Sequence, residues 1–134
     1  MPCDPQKLDE LATIYANFFK SLTEEEKAKR QQLVQRSDDL RADMEQFMQE
    51  TFTAADANGD GLLDQAEYTE YCRASIEQSD ARFGRVGPPF DEARHQLEYE
   101  CWNAITPGTD GLTLDDIKAA MGEARVATGA KMQQ

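Results

Sequence analysis

The twelve residues 56–67, DANGDGLLDQAE, constrain this chain more than any other segment. Oxygen-bearing side chains stand at alternate places: Asp56, Asn58 and Asp60 at positions 1, 3 and 5, Asp64 at position 9 and Glu67 at position 12. Gly61 holds position 6, where a sharp turn leaves no room for a Cβ. Met48, Phe52 and Ala55 precede the segment on one helical stripe, and Tyr68 and Tyr71 follow it. The pattern predicts a tight loop between two helices, with Leu63 at position 8 set to pair with a neighbouring loop.

The rest of the chain reads as helix. Leu8, Leu11, Tyr15, Phe18 and Leu22 step by three or four residues, which predicts a helix from about Asp4 to Leu22. Ser21 or Thr23 can cap a second helix, since Glu24 and Glu26 each sit three residues on, as in a capping box. Nothing between Thr23 and Ala55 forces a break, but Ser37-Asp38-Asp39 is a favourable helix start, and a bend is expected at that point. After the loop a helix carries Tyr68, Tyr71, Cys72 and Ile76 to about Asp80, and Gly84, Gly87, Pro88 and Pro89 mark a linker. Asp91 can cap a helix bearing Leu97, Cys101, Trp102 and Ile105, and a turn follows at 106–111. The last helix begins near Thr113, with Ile117, Ala120, Met121 and Ala124 on one side, and frays from Thr128.

Charge is placed unevenly within a formal total of −12. Residues 1–42 hold 8 acids and 7 bases, whereas residues 43–134 hold 18 acids and 7 bases. A field of that sign repels nucleic acid and anionic lipid, and it attracts cations or basic partners. Cys3, Cys72 and Cys101 form an odd set without zinc-like spacing, and His95 is the only histidine. That usage fits a reduced, intracellular and cytoplasmic chain. Signal-peptide and transmembrane-length apolar runs are lacking, and Pro2 excludes the N-terminal glycine that myristoylation requires. His95 and Cys101 lie six residues apart, off a common helix face, so they make no nucleophile pair, and no catalytic constellation is expected.

Alternating oxygen donors suit a hard cation that takes six to eight oxygen ligands, and calcium is that cation. Asp56, Asn58, Asp60, Asp64 and Glu67 supply side-chain ligands, Glu67 with both oxygens, and Leu62 at position 7 supplies its backbone carbonyl. Residues 43–125 resemble an EF-hand pair of the calmodulin and sarcoplasmic calcium-binding protein superfamily, most closely over residues 47–76. The resemblance implies an all-α fold in which residues 43–127 form a pair of hands, one intact and one degenerate, with 128–134 as a flexible tail. In the second hand two alignments compete. Gly111 at position 6 places Thr106, Gly108 and Asp110 at positions 1, 3 and 5 but leaves Ile117 at position 12. Counting from the other flank puts Asp116 at position 12, and both flanks fit only if the loop Thr106–Asp116 is one residue short. In either alignment ligands are lost, so one calcium ion per chain is expected. Leu112 of the degenerate loop can pair with Leu63.

Residues 1–42 form an N-terminal helical extension: a cap over the pair, a vestigial hand or a docking helix. The function implied is a calcium sensor that offers an apolar surface of the hand pair to a protein target. A cytosolic calcium buffer and a structural module stabilised by one ion stand beside it.

Overall fold

The computed structural model describes residues 5–102 and 111–133, and among them it is all-α. Helices α1 (Pro5–Lys20), α2 (Glu24–Gln35), α3 (Ser37–Ala55), α4 (Gln65–Phe83), α5 (Glu92–Trp102) and α6 (Leu114–Met132) follow in order. Thr23 and Glu26 form the expected capping box at the start of α2. The expected bend falls at Arg36, between α2 and α3. Asp91 accepts from the amides of Ala93 and Arg94 and so opens α5. Gly84, at φ 68°, ends α4 in the left-handed conformation that glycine adopts without a Cβ penalty. The turn at 106–111, with Thr106, Gly108 and Asp110, lies outside the described residues except for Gly111, and so does Ile105.

Two places differ from the sequence expectation. α6 does not fray at Thr128 but runs on to Met132. Thr128 is buried, its hydroxyl donates to the Ala124 carbonyl, and Lys131 bonds Asp9 of α1 at 2.8 Å. Tertiary packing on α1 holds the last turn, a contribution that local sequence does not display. Met121 is exposed rather than on the packed face, which consists of Ile117, Ala120 and Ala124.

α3 and α4 form one helix–loop–helix unit. Phe47 meets Phe83 edge-on at 5.6 Å between ring centroids, and Phe52 meets Tyr71 at 6.4 Å. α5 and α6 form the second unit. An isolated antiparallel bridge joins the two: Leu63 and Leu112 exchange two backbone bonds of 2.9 Å, and both side chains are fully buried. Gly111 is required beside it, because a Cβ there would lie 2.6 Å from the Leu63 carbonyl oxygen. α1 lies across α5 and α6, burying Leu11, Ala12 and Ala16 in a core that includes Trp102, Ile117 and Ala120. α2, by contrast, buries no side chain.

Candidate functional site

Loop 56–67 is built between the end of α3 and the first turn of α4. Asp56 caps α3, and its Oδ2 accepts the Gly61 amide at 2.8 Å. Asn58 Oδ1 accepts from Asp60 N, and Asp60 Oδ1 accepts from Leu62 N at 2.9 Å. These bonds fix the side chains against the loop's own backbone. Gly59 and Gly61 have φ of 70° and 79°, the left-handed region that a Cβ disfavours. Asp64 is the N-cap of α4 and forms a reciprocal capping box with Glu67. Glu67 also spans the loop: Oε2 accepts from Ala57 N at 2.9 Å and Oε1 from Asp64 N at 3.0 Å. The loop's two ends are thus tied through one carboxylate.

One atom in this arrangement stands apart. Asp56 Oδ1 is buried and has no hydrogen-bond partner, although Oδ2 of the same carboxylate is bonded. A buried carboxylate oxygen without a donor is costly, so the position calls for a positive partner. The side-chain donors that the loop carries at these positions are all oxygens, from Asp56, Asn58, Asp60, Asp64 and Glu67.

A second polar cluster lies in the core, where α1, α4 and α5 meet. Glu98, nearly fully buried, is its centre. Tyr15 of α1 and Tyr68 of α4 donate their hydroxyls to Glu98, Tyr68 at 2.8 Å. His95 Nδ1 lies 2.8 Å from Glu98 Oε1, and Arg94 Nη2 lies 3.1 Å from His95 Nε2. A guanidinium only donates, so His95 Nε2 accepts and its Nδ1–H points at Glu98. Trp102 Nε1 donates to the Tyr68 hydroxyl, and Arg94 Nη1 donates to the Pro89 carbonyl. Burial alone would push the Glu98 carboxyl up, but the bonds from His95, Tyr15 and Tyr68 outweigh it and hold the carboxyl below its ordinary value. Burial first, and then the Glu98 charge, pushes the Tyr15 and Tyr68 hydroxyls and the Cys72 thiol well up.

Cys72, His95 and Glu98 bring three metal-ligating atoms within 4.8 Å of one another. Their chemistry argues against a metal there. Both His95 nitrogens and both Glu98 oxygens are already bonded, the Cys72 thiol is held protonated, and Arg94 Nε stands 3.7 Å from Glu98. A cation would have to displace several buried hydrogen bonds beside a guanidinium.

No known family model, curated protein or solved structure matches this chain. The functional reading therefore rests on the residues. Asp56, Asn58, Asp60, Leu62, Asp64 and Glu67 lie along one short turn, linked by the bonds described above. Among the described residues, however, no three acids of that turn bring carboxylate oxygens within 4.8 Å of one another, as Cys72, His95 and Glu98 do with their ligand atoms. The buried cluster was not foreseen. Sequence reasoning only excluded His95 and Cys101 as a nucleophile pair and did not anticipate the Glu98 cluster, and both residues are buried. The one available signal was the i, i+3 and i, i+4 spacing of Arg94, His95 and Glu98 on a helix otherwise bearing core residues.

Proposed function

We propose that this chain is an EF-hand calcium-binding protein that takes one calcium ion in loop 56–67. The observation that carries the reading is the unpartnered buried Oδ1 of Asp56, set within an all-oxygen loop. Asp56, Asn58, Asp60, Asp64 and Glu67 would hold the ion with side-chain oxygens and Leu62 with its carbonyl. The ion supplies positive charge, and the chain's own residues shape the cradle. Gly59 and Gly61 permit the turn, the amide bonds orient the carboxylates, and Glu67 closes loop to helix. The unit α5–α6 is read as the degenerate partner hand, joined through Leu63 and Leu112.

The activity that follows is calcium sensing. Opening of α3 against α4 would expose Phe47, Phe52, Tyr71 and Phe83 to a protein target. A second reading is a structural or interaction module that one calcium ion stabilises. It is favoured by a specific observation: α1 already covers α5 and α6, tied by Tyr15 to Glu98 and by ion pairs Lys7–Glu100 and Asp9–Lys131. A dye that brightens on apolar surface separates the two. The sensor reading predicts a rise on saturation with calcium, and an unchanged signal with calcium bound selects the structural module. Competition against a chromophoric chelator, with wild type and Glu67→Gln side by side, tests the calcium reading beneath both. Equal affinity in the two proteins would remove it.

A further inference from the structure

Glu67, the twelfth residue of the loop, is held differently from the residues that open it. Asp56, Asn58 and Asp60 follow from the end of α3, and their side chains bond to the loop's own backbone. Glu67 lies in the first turn of α4, and the chain on either side of it is fixed to the second unit. Before it, Leu63 exchanges two backbone bonds with Leu112. Directly after it, Tyr68 is buried with its ring stacked on Tyr71. The Tyr68 hydroxyl is bonded twice, donating to Glu98 Oε1 at 2.8 Å and accepting from Trp102 Nε1 at 2.8 Å.

We propose that Glu98 is a positioning residue for the calcium loop: through the Tyr68 hydroxyl it holds the first turn of α4 and so sets where Glu67 presents its carboxylate. The proposal deepens the calcium reading above and rests on it. Glu98 can hold Tyr68 because it is itself held from the elements around it. His95 Nδ1–H donates to Oε1, Tyr15 of α1 donates to Oε2, and Arg94 Nε lies 3.7 Å from Oε2. These donors keep the carboxylate charged despite its burial, and a hydroxyl bond to a charged acceptor is roughly twice as strong as one between neutral groups.

Position matters at this residue more than at others in the loop. Calcium takes its oxygens at about 2.3–2.6 Å, and the residue at position 12 offers two of them, so a shift of its turn by about 1 Å takes an oxygen out of range. In the ion-free loop the Glu67 carboxylate accepts from Ala57 N and Asp64 N. An ion would draw it from these amides by side-chain rotation, while Tyr68 keeps the backbone in place. A turn ordered in advance spares the cost of ordering it on binding. If the Tyr68–Glu98 bond served global stability alone, the affinity of the folded protein for calcium would not depend on it.

The test compares full-length wild type with Tyr68→Phe, Glu98→Gln and Tyr71→Phe, each checked for helix content by far-ultraviolet circular dichroism. Tyr71→Phe is the control, since it removes a hydroxyl from the same helix outside the Glu98 cluster. Competition with a chromophoric calcium chelator, well below the unfolding temperature, should show affinity about 10-fold lower in Tyr68→Phe and about 3-fold lower in Glu98→Gln, which keeps a neutral acceptor for Tyr68. Tyr71→Phe should match the wild type. Without calcium, hydrogen exchange at the Glu67 amide, bonded to Asp64 Oδ1 at 2.8 Å, should be several-fold faster in Tyr68→Phe than in the control. Should one of the two test variants fail to fold, the other carries both measurements. Unchanged affinity in a folded test variant, with only its denaturant midpoint lowered, would overturn the proposal, and so would an equal loss in Tyr71→Phe. A wild type that takes no calcium would remove the calcium reading instead. The ion-free exchange rates then decide whether Glu98 holds this turn, and equal rates in variant and control would overturn that as well.

Discussion

Asp56 carries two oxygens with different fates, one bonded to the Gly61 amide and one buried without a donor. Its replacement by Ala should abolish calcium binding yet leave the helices formed, checked by far-ultraviolet circular dichroism beside a calcium titration. Glu67 does two jobs, since its carboxylate also accepts the Ala57 and Asp64 amides. Glu67→Gln keeps an acceptor for only one of those amides, sets an NH2 against the other and removes a charge, so affinity should fall on the order of 100-fold and the ion-free protein should lose about 1–3 kcal/mol. Gly111→Ala would set a Cβ 2.6 Å from the Leu63 carbonyl and should destabilise by about 1–3 kcal/mol, read from denaturant midpoints. Glu98 gives the pH dependence. Its folded value lies below the ordinary 4.5, so it contributes stability above the unfolded value that is lost as pH falls through the folded one. At the other end, Tyr15, Tyr68 and Tyr71 are raised above 10.0, so their stabilising burial is complete below that value and is lost as alkalinity rises beyond it. Thermal unfolding between acid and alkaline pH should show a plateau with both shoulders. Glu98→Gln should flatten the acid shoulder.

At the scale of elements, stability is divided unequally between α1 and α2. Leu11 is fully buried, and Leu11→Ala should cost about 2–5 kcal/mol. Leu33, only partly covered on α2, should cost less, about 1–2 kcal/mol when cut to Ala, because part of its surface is already in water. Paired denaturation curves decide it, and equal losses would mean that α2 is packed as firmly as α1. Local signals made much of this layout legible. Thr23 with Glu26, Asp91 and Gly84 act through bonds within a turn, so the residues that form them are adjacent in sequence, while the run Ser37-Asp38-Asp39 marks the start of α3 without a side-chain cap. Leu63 and Leu112 were readable as a pair because an apolar eighth position has a fixed geometric meaning in the motif. The continuation of α6 past Thr128 was not readable, since it depends on Asp9 and the α1 surface more than a hundred residues away. Nor was the Glu98 cluster, whose donors come from α1, α4 and α5. A buried carboxylate looks like a surface one until its partners are in place.

For the whole molecule, acidity and ion binding belong together. The loop carboxylates and a body rich in acids repel one another, and an ion bound to the folded form alone would remove part of that repulsion. Saturating calcium, at about 100 times the dissociation constant, should add about 2.7 kcal/mol of stability. No described helix is long and apolar enough to cross a membrane. The bridge between Leu63 and Leu112 ties the loop to α6, and Tyr68, next to Glu67, ties it to Glu98 and so to α1. An ion held in loop 56–67 would therefore act on the same core that holds the N-terminal helix. The most direct check of the central claim is a calorimetric calcium titration of the intact chain beside Glu67→Gln. The account predicts one ion per chain in the wild type and a large loss of affinity in the variant. No binding, two ions per chain, or equal affinities would contradict it.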